Sequence, residues 1–342
     1  MRRPVRRAPR RRRPGRAASL AAPVAVLVGL ASAGCSTEPV TPTASPVAYA
    51  TIGSGIANPG STVAVVDATT GKLGRPVTVG TLPAALALLP GDKDLVVAVK
   101  AQNELVEVST ATGKVVHRVT VGLEPDAVAV TPDGSNALVA NFGDGTVTSV
   151  TLATFAVGAT VPVGRQPVAI AVTPAGTRAL VANYQDGTVT PVALPGLSPG
   201  APVAVGPEPS AVFIASDGGT ALVAGFQTST VTPIALPGLT PAPPVPIGAN
   251  PTGIAGAPGS PVAWVSGGDG ITPMGIVSRQ VGASVSIGAP AEALAVSAGG
   301  QIWVCSGNGA LVEIDPSTGR VVRTISLDGI PSAVVITRAA GA

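Results

Sequence analysis

Val121-Gly122-Leu123-Glu124-Pro125-Asp126-Ala127-Val128-Ala129 and Val163-Gly164-Arg165-Gln166-Pro167-Val168-Ala169-Ile170-Ala171 are two copies of one block, Val/Ile-Gly-x-x-Pro-x-Ala-Val-Ala. Its glycine recurs at positions 80, 122, 164, 206, 248 and 288, with a shortened copy at Gly329, at intervals of 42, 42, 42, 42, 40 and 41 residues. A period that regular belongs to a repeat architecture, in which each unit buries its apolar face only against its neighbours. Within one unit the pattern reads as Asp126 to Val130, an Asp133-Gly134 turn, Ala137 to Ala140, an Asp144-Gly145 turn, Thr146 to Val150, and a last strand ending at Val161 to Val163. Four short strands joined by Gly-centred turns make one propeller blade and leave no room for long helices.

Counting blades uses both ends of the chain. Gly80 to Gly329 gives six complete units, which leaves Ile330 to Arg338 as a lone first strand and Val47 to Val79 as three strands without a first. The two fragments complete each other as a seventh blade. The expected fold class is therefore all-β, a seven-bladed β-propeller of four-stranded antiparallel blades over residues 47–342, closed by pairing the N- and C-terminal strands. Pro76, Pro162, Pro202, Pro244 and Pro246 fall in or beside the fourth strand. Proline cannot donate to a ladder, so this strand is the outer edge, protected against edge-to-edge pairing. Pro191 and Pro233 fall within or at the end of the third strand, and predict a bulge or an early strand end there.

Residues 1–34 read as an export signal. Nine arginines between Arg2 and Arg16 form a basic segment, and Ala17 to Leu30 is an apolar stretch broken by Pro23, too short for a transmembrane helix. Ser32-Ala33-Gly34-Cys35 resembles a bacterial lipobox, with Ser32 where Leu is more usual. The resemblance implies cleavage before Cys35 and lipidation of its sulfur, anchoring the chain to the outer face of the cytoplasmic membrane; secretion or a periplasmic location is the alternative. Residues 35–46, rich in Ser, Thr and Pro, read as a flexible tether.

The leader holds 9 of the 21 Lys and Arg and none of the 18 Asp and Glu, so the rest of the chain carries 12 positive against 18 negative charges. With 4 Phe, 2 Trp and 2 Tyr, it lacks the positive groove and stacking platforms of nucleic-acid binding. Cys305 falls in register with Ala140, Ala182, Ala224 and Ser266, a small-residue strand position that suits a buried, inert thiol. His117, the one histidine, lies on a fourth strand near the rim, away from the channel, which argues against histidine-rich metal sites and Ser-His-Asp or Cys-His chemistry.

Leu138-Val139-Ala140-Asn141-Phe142, Leu180-Val181-Ala182-Asn183-Tyr184 and Leu222-Val223-Ala224-Gly225-Phe226, together with the Thr131-Pro132-Asp133-Gly134 turn, resemble the YVTN-type β-propeller repeat family. The match is strong in the second to fourth units and looser after Gly248, where Trp264 and Trp303 replace Leu. The resemblance implies seven blades and export, in a family of diverse functions.

Function in propellers gathers on the face bearing the loops that lead into the innermost strands. The candidates there are Glu124, Arg165, Gln166, Glu208, Asn250 and Glu292, and Glu124, Gln166, Glu208 and Asn250 share one repeat position. An oxygen-rich arc suits Ca2+, Mg2+, a cationic group or a polyol. No resident cofactor is expected; if a metal is held, Glu124, Glu208 and Glu292 are the ligands to expect. Asn141, Asn183, Asp144 and Asp186 read as turn residues. Phe142, Tyr184 and Phe226 read as packing between blades, with an exposed recognition patch as the alternative.

With no catalytic constellation in the sequence, the leading expectation is a membrane-anchored binding scaffold for a protein, peptide or envelope polymer. The alternative is an enzyme. Propellers similar in repeat design include lactone hydrolases and a lyase acting on cyclic depsipeptide antibiotics, which use a channel-bound divalent metal; the channel histidine of the lyase pattern is missing here.

Overall fold

The computed structural model describes residues 45–54 and 60–338. The leader, Cys35 and the tether up to residue 44 lie outside the described residues. The remainder folds as seven four-stranded antiparallel blades in a ring, and no helix occurs among the described residues.

Six blades are continuous in sequence and begin with inner strands Pro83–Leu88, Pro125–Val130, Pro167–Val172, Pro209–Ile214, Pro251–Ala255 and Ala291–Val296, numbered here as blades 1 to 6. Blade 7 takes its inner strand, Ile330–Ile336, from the C-terminus and pairs it antiparallel with Val47–Ser54 from the N-terminus. Each inner strand touches its two neighbours, closing the circle from Ile330–Ile336 back to Pro83–Leu88. The expected closure is therefore observed.

Burial falls off radially, which is why the strands differ in composition. In blade 2 the inner strand Pro125–Val130 is buried throughout, whereas the outer strand Ala156–Pro162 is almost wholly exposed. Inner strands consequently read as near-continuous Ala/Val/Ile runs, because both faces pack on neighbouring blades; each Val or Leu so buried contributes about 1.5–3 kcal/mol relative to exposure. Cys305 is fully buried in this packing.

The third-strand prolines lie on a bulge. Pro191 stays within Thr188–Ala193, so the strand does not end early, but the fourth strand is split beside it into Ser198–Pro199 and Val203–Ala204, with Gly200 N donating to Pro191 O at 2.7 Å. Ala242 N to Pro233 O (2.8 Å) and Gly282 N to Pro273 O (2.9 Å) repeat the arrangement. Glu107, Ser149 and Glu313 occupy the same register position, and the ladder shifts there too. Proline is tolerated because this position is irregular in every blade.

Candidate functional site

Two local devices shape the face bearing the lead-in loops. The first is a left-handed residue before the inner strand: Leu82, Glu124, Gln166, Glu208 and Asn250 have φ of 58°, 50°, 54°, 51° and 47°. The following proline starts the inner strand, and the loop needs this conformation whatever the side chain, since Leu82 adopts it as well as the polar four. The second is a β-bulge at the next-but-one residue. The pairing of first and second strands shifts between Pro125 and Ala127, between Pro209 and Ala211, between Ala291 and Ala293, and likewise in blades 1, 3 and 5.

The hairpins between second and third strands hold these loops. Leu123 N donates to Asp144 Oδ2 at 2.6 Å, Gly122 N to Asn141 Oδ1 at 3.2 Å, Glu124 N to Asn103 Oδ1 at 2.9 Å, and Arg165 N to Asp186 Oδ2 at 2.7 Å. Asn141 and Asn183 are fully buried, and their Nδ2 groups donate to Thr146 and Thr148 and to Thr188 and Thr190. Local hydrogen bonding of the loop and hairpin therefore accounts for Asn141, whereas the buried Oδ1 of Asn183 has no hydrogen-bond partner among the described residues. The two aspartates do more than mark turns, because they accept from the lead-in loops; the left-handed residues are Gly145 and Gly187.

An open cleft of about 650 Å³ lies on this face between blades 3 and 4. Gln166 and Glu208 come from the two lead-in loops, Tyr184, Gln185 and Asp186 from the blade 3 hairpin, and Gln227 from the blade 4 hairpin. The Arg165 backbone N–H first, and then its guanidinium, with Nε 2.5 Å from Asp186 Oδ1, hold Asp186 below the usual carboxylate range. The Tyr184 hydroxyl is enclosed without an aligned hydrogen bond, and burial first, then the neighbouring Glu208 carboxylate, push its pKa up to about 12. The cleft thus presents three amides, two carboxylates and a phenol, a set able to bind hydroxyl or amine groups from several directions.

The six residues expected on this face divide into three groups. Gln166 and Glu208 meet in the cleft, and Arg165 braces it. Glu124 and Asn250 are exposed in their own lead-in loops. Glu292 is not a loop residue: it lies on Ala291–Val296, on the bulge, in register with Asp126, Ser210 and Thr252. The interval shortens to 40 residues before Gly288, and Pro290 takes the position of Asn250, so Glu292 is two residues further on. No three His, Cys, Asp or Glu side chains gather into a metal-binding group among the described residues.

Phe142 and Tyr184 are half-buried against the core of blades 2 to 4, which supports packing between blades. His117 is on the outer strand Lys114–Thr120, 2.6 Å from Glu107 Oε2. Burial raises the Cys305 thiol pKa well above its ordinary value, and the nearby Glu292 carboxylate adds to this, so the thiol is inert.

No protein-family model matches the chain, and no curated protein is similar to it in sequence. Solved structures are similar in fold. Hydrazine synthase from Kuenenia stuttgartiensis superposes with a TM-score of 0.67 at 15% identity, over 75% of this chain and 95% of that one. A functionally unknown protein from Desulfotomaculum acetoxidans DSM 771 gives 0.75 at 16% identity, over 86% and 99%. At such identities the likeness is one of fold alone: a seven-bladed β-propeller.

Proposed function

We propose that this chain is a non-catalytic binding scaffold of YVTN type, held outside the cytoplasmic membrane by a lipid on Cys35 and presenting its lead-in face to a protein, peptide or envelope polymer. The cleft between blades 3 and 4 carries the reading. Its side chains converge as hydrogen-bonding groups, with the enclosed Tyr184 hydroxyl beside the Glu208 carboxylate. The geometry beside it supports a rigid receptor, because Asp186 accepts from both the backbone and the guanidinium of Arg165 and so ties the blade 3 loop to its hairpin. The net negative charge outside the leader makes a nucleic-acid partner a poor match.

Two measurements test this. A metabolically incorporated fatty-acid analogue should label the wild-type chain and not Cys35→Ala; equal labelling would remove the anchor from the proposal. Peptide and glycan arrays probed with the purified chain should yield ligands weakened about tenfold or more by Glu208→Gln or Gln166→Ala, as expected for lost charge-assisted or multiple hydrogen bonds. Ligands indifferent to both substitutions would place recognition elsewhere on the ring.

A further inference from the structure

In three blades the bulged residue at the head of the inner strand carries a hydroxyl that reaches the next blade. Ser210 Oγ donates to Pro251 O and Thr252 Oγ1 to Ala291 O, both at 2.6 Å, and Ser332 Oγ donates to Pro83 O at 3.2 Å; each acceptor is on the next blade. In blade 2 the position is a carboxylate. Asp126 is buried, and its Oδ1 receives the Lys100 ammonium at 2.8 Å. Lys100 reaches over from the hairpin of blade 1, with Nζ 4.8 Å from the centre of the Phe142 ring in blade 2. The propeller therefore contains an ammonium seat built from a bulge carboxylate and the two residues that follow the second strands of its own and the preceding blade.

Blade 6 has the same carboxylate without the other parts. Glu292 is half-buried and makes no hydrogen bond or ion pair among the described residues, and burial raises its pKa. The positions equivalent to Lys100 and Phe142 are Gly268 and Gly307. The Glu292 carboxylate lies over Gly307, where a Cβ would be 2.9 Å from Glu292 Oε1 and 3.2 Å from Pro290 Cβ, so a side chain there would displace it. A half-buried carboxyl group lacking the cation that its repeat counterpart has, beside two positions reduced to glycine, is a seat left open. We infer that the head of blade 6 binds a primary ammonium group, with Glu292 as its counter-ion. This site is separate from the cleft between blades 3 and 4.

The test is titration of the isotopically labelled full-length chain with n-butylammonium chloride, following the amide resonances of Cys305 and Gly307. Saturable shifts are expected, absent with tetramethylammonium chloride, which has no N–H to donate. Glu292→Gln should weaken binding about tenfold, equivalent to about 1.4 kcal/mol, with the other amide resonances unchanged. Gly307→Ala should also weaken it, by displacing the carboxylate without altering charge, while Glu208→Gln should leave it intact. Identical shifts from both salts, or full binding by Glu292→Gln, would overturn the assignment. An acetylated tripeptide with a central lysine separates the sources: tighter binding than butylammonium assigns the seat to a lysine side chain, and equal binding assigns it to free amines.

Discussion

At the residue scale, the lead-in face shows how one repeat position serves backbone and ligand differently. Glu124, Gln166, Glu208 and Asn250 recur at 42-residue spacing, and the sequence suggests a single ligand-binding arc. Leu82 in the same left-handed conformation shows that the shared requirement is conformational, and only Gln166 and Glu208 enter a common cleft. Periodicity alone could not distinguish a backbone constraint from a binding role, nor reveal that Glu292 rides on a bulge. Asn141 was easier to read as turn chemistry. Asn141→Ala removes the acceptor of the Gly122 N–H and the donor to Thr146 Oγ1 and Thr148 Oγ1, of which the latter keeps its bond to Thr160, and should cost about 1–3 kcal/mol in urea unfolding. Tyr184 gives a pH signature. Its folded pKa is raised from 10.0 to about 12, so the folded chain holds the phenolic proton more tightly; that stabilisation is complete below pH 10 and is lost as pH rises towards 12. Tyr184→Phe should show a smaller fall in urea midpoint across this window than wild type. Glu208→Gln should move the ultraviolet titration of Tyr184 downward, though not to the ordinary value, because burial is the larger cause.

At the element scale, the outer edge of each blade is governed by one irregular register position. The sequence marks it with Pro191 and Pro233, and the alternation of turns and Val-rich runs was enough to locate all four strands in the regular blades. Which carbonyl the bulge would offer was not legible, since Val65 and Ser149 occupy the same position without any proline signal. The structure predicts opposite outcomes for adjacent substitutions in blade 2. Ser149→Pro reproduces what blades 3 to 5 already contain and should change stability by about 1 kcal/mol or less, whereas Thr148→Pro, one residue inside the regular ladder, should cost about 3 kcal/mol or more. Chemical denaturation of the two variants makes the comparison. Equal losses would show that the third strand responds to proline uniformly and that the bulge gives no tolerance.

At the scale of the whole molecule, the ring is held by a blade assembled from both termini, and its fastening is more than a strand pair. Val47 N donates to Thr337 Oγ1 at 2.8 Å, the Thr51 and Ser332 hydroxyls lie 2.9 Å apart, and Ser332 Oγ donates onward to Pro83 O, linking blade 7 to blade 1. The C-terminal strand contributes Ala333, Val334 and Val335 to the core, so its loss exposes the edge of Val47–Ser54 and one face each of two neighbouring blades. Ending the chain at residue 329 should therefore lower the melting midpoint by about 10 °C or more, or abolish folding, since several kcal/mol are lost and each displaces the midpoint by about 2–4 °C in a domain of roughly 150–250 residues. Ending it at residue 338 retains every described strand and should leave the midpoint within about 2 °C of wild type. The paired truncations separate closure from simple shortening. Equal midpoints would mean that six blades stand without the seventh, and the repeat would then be a self-sufficient stack whose ends need no fastening.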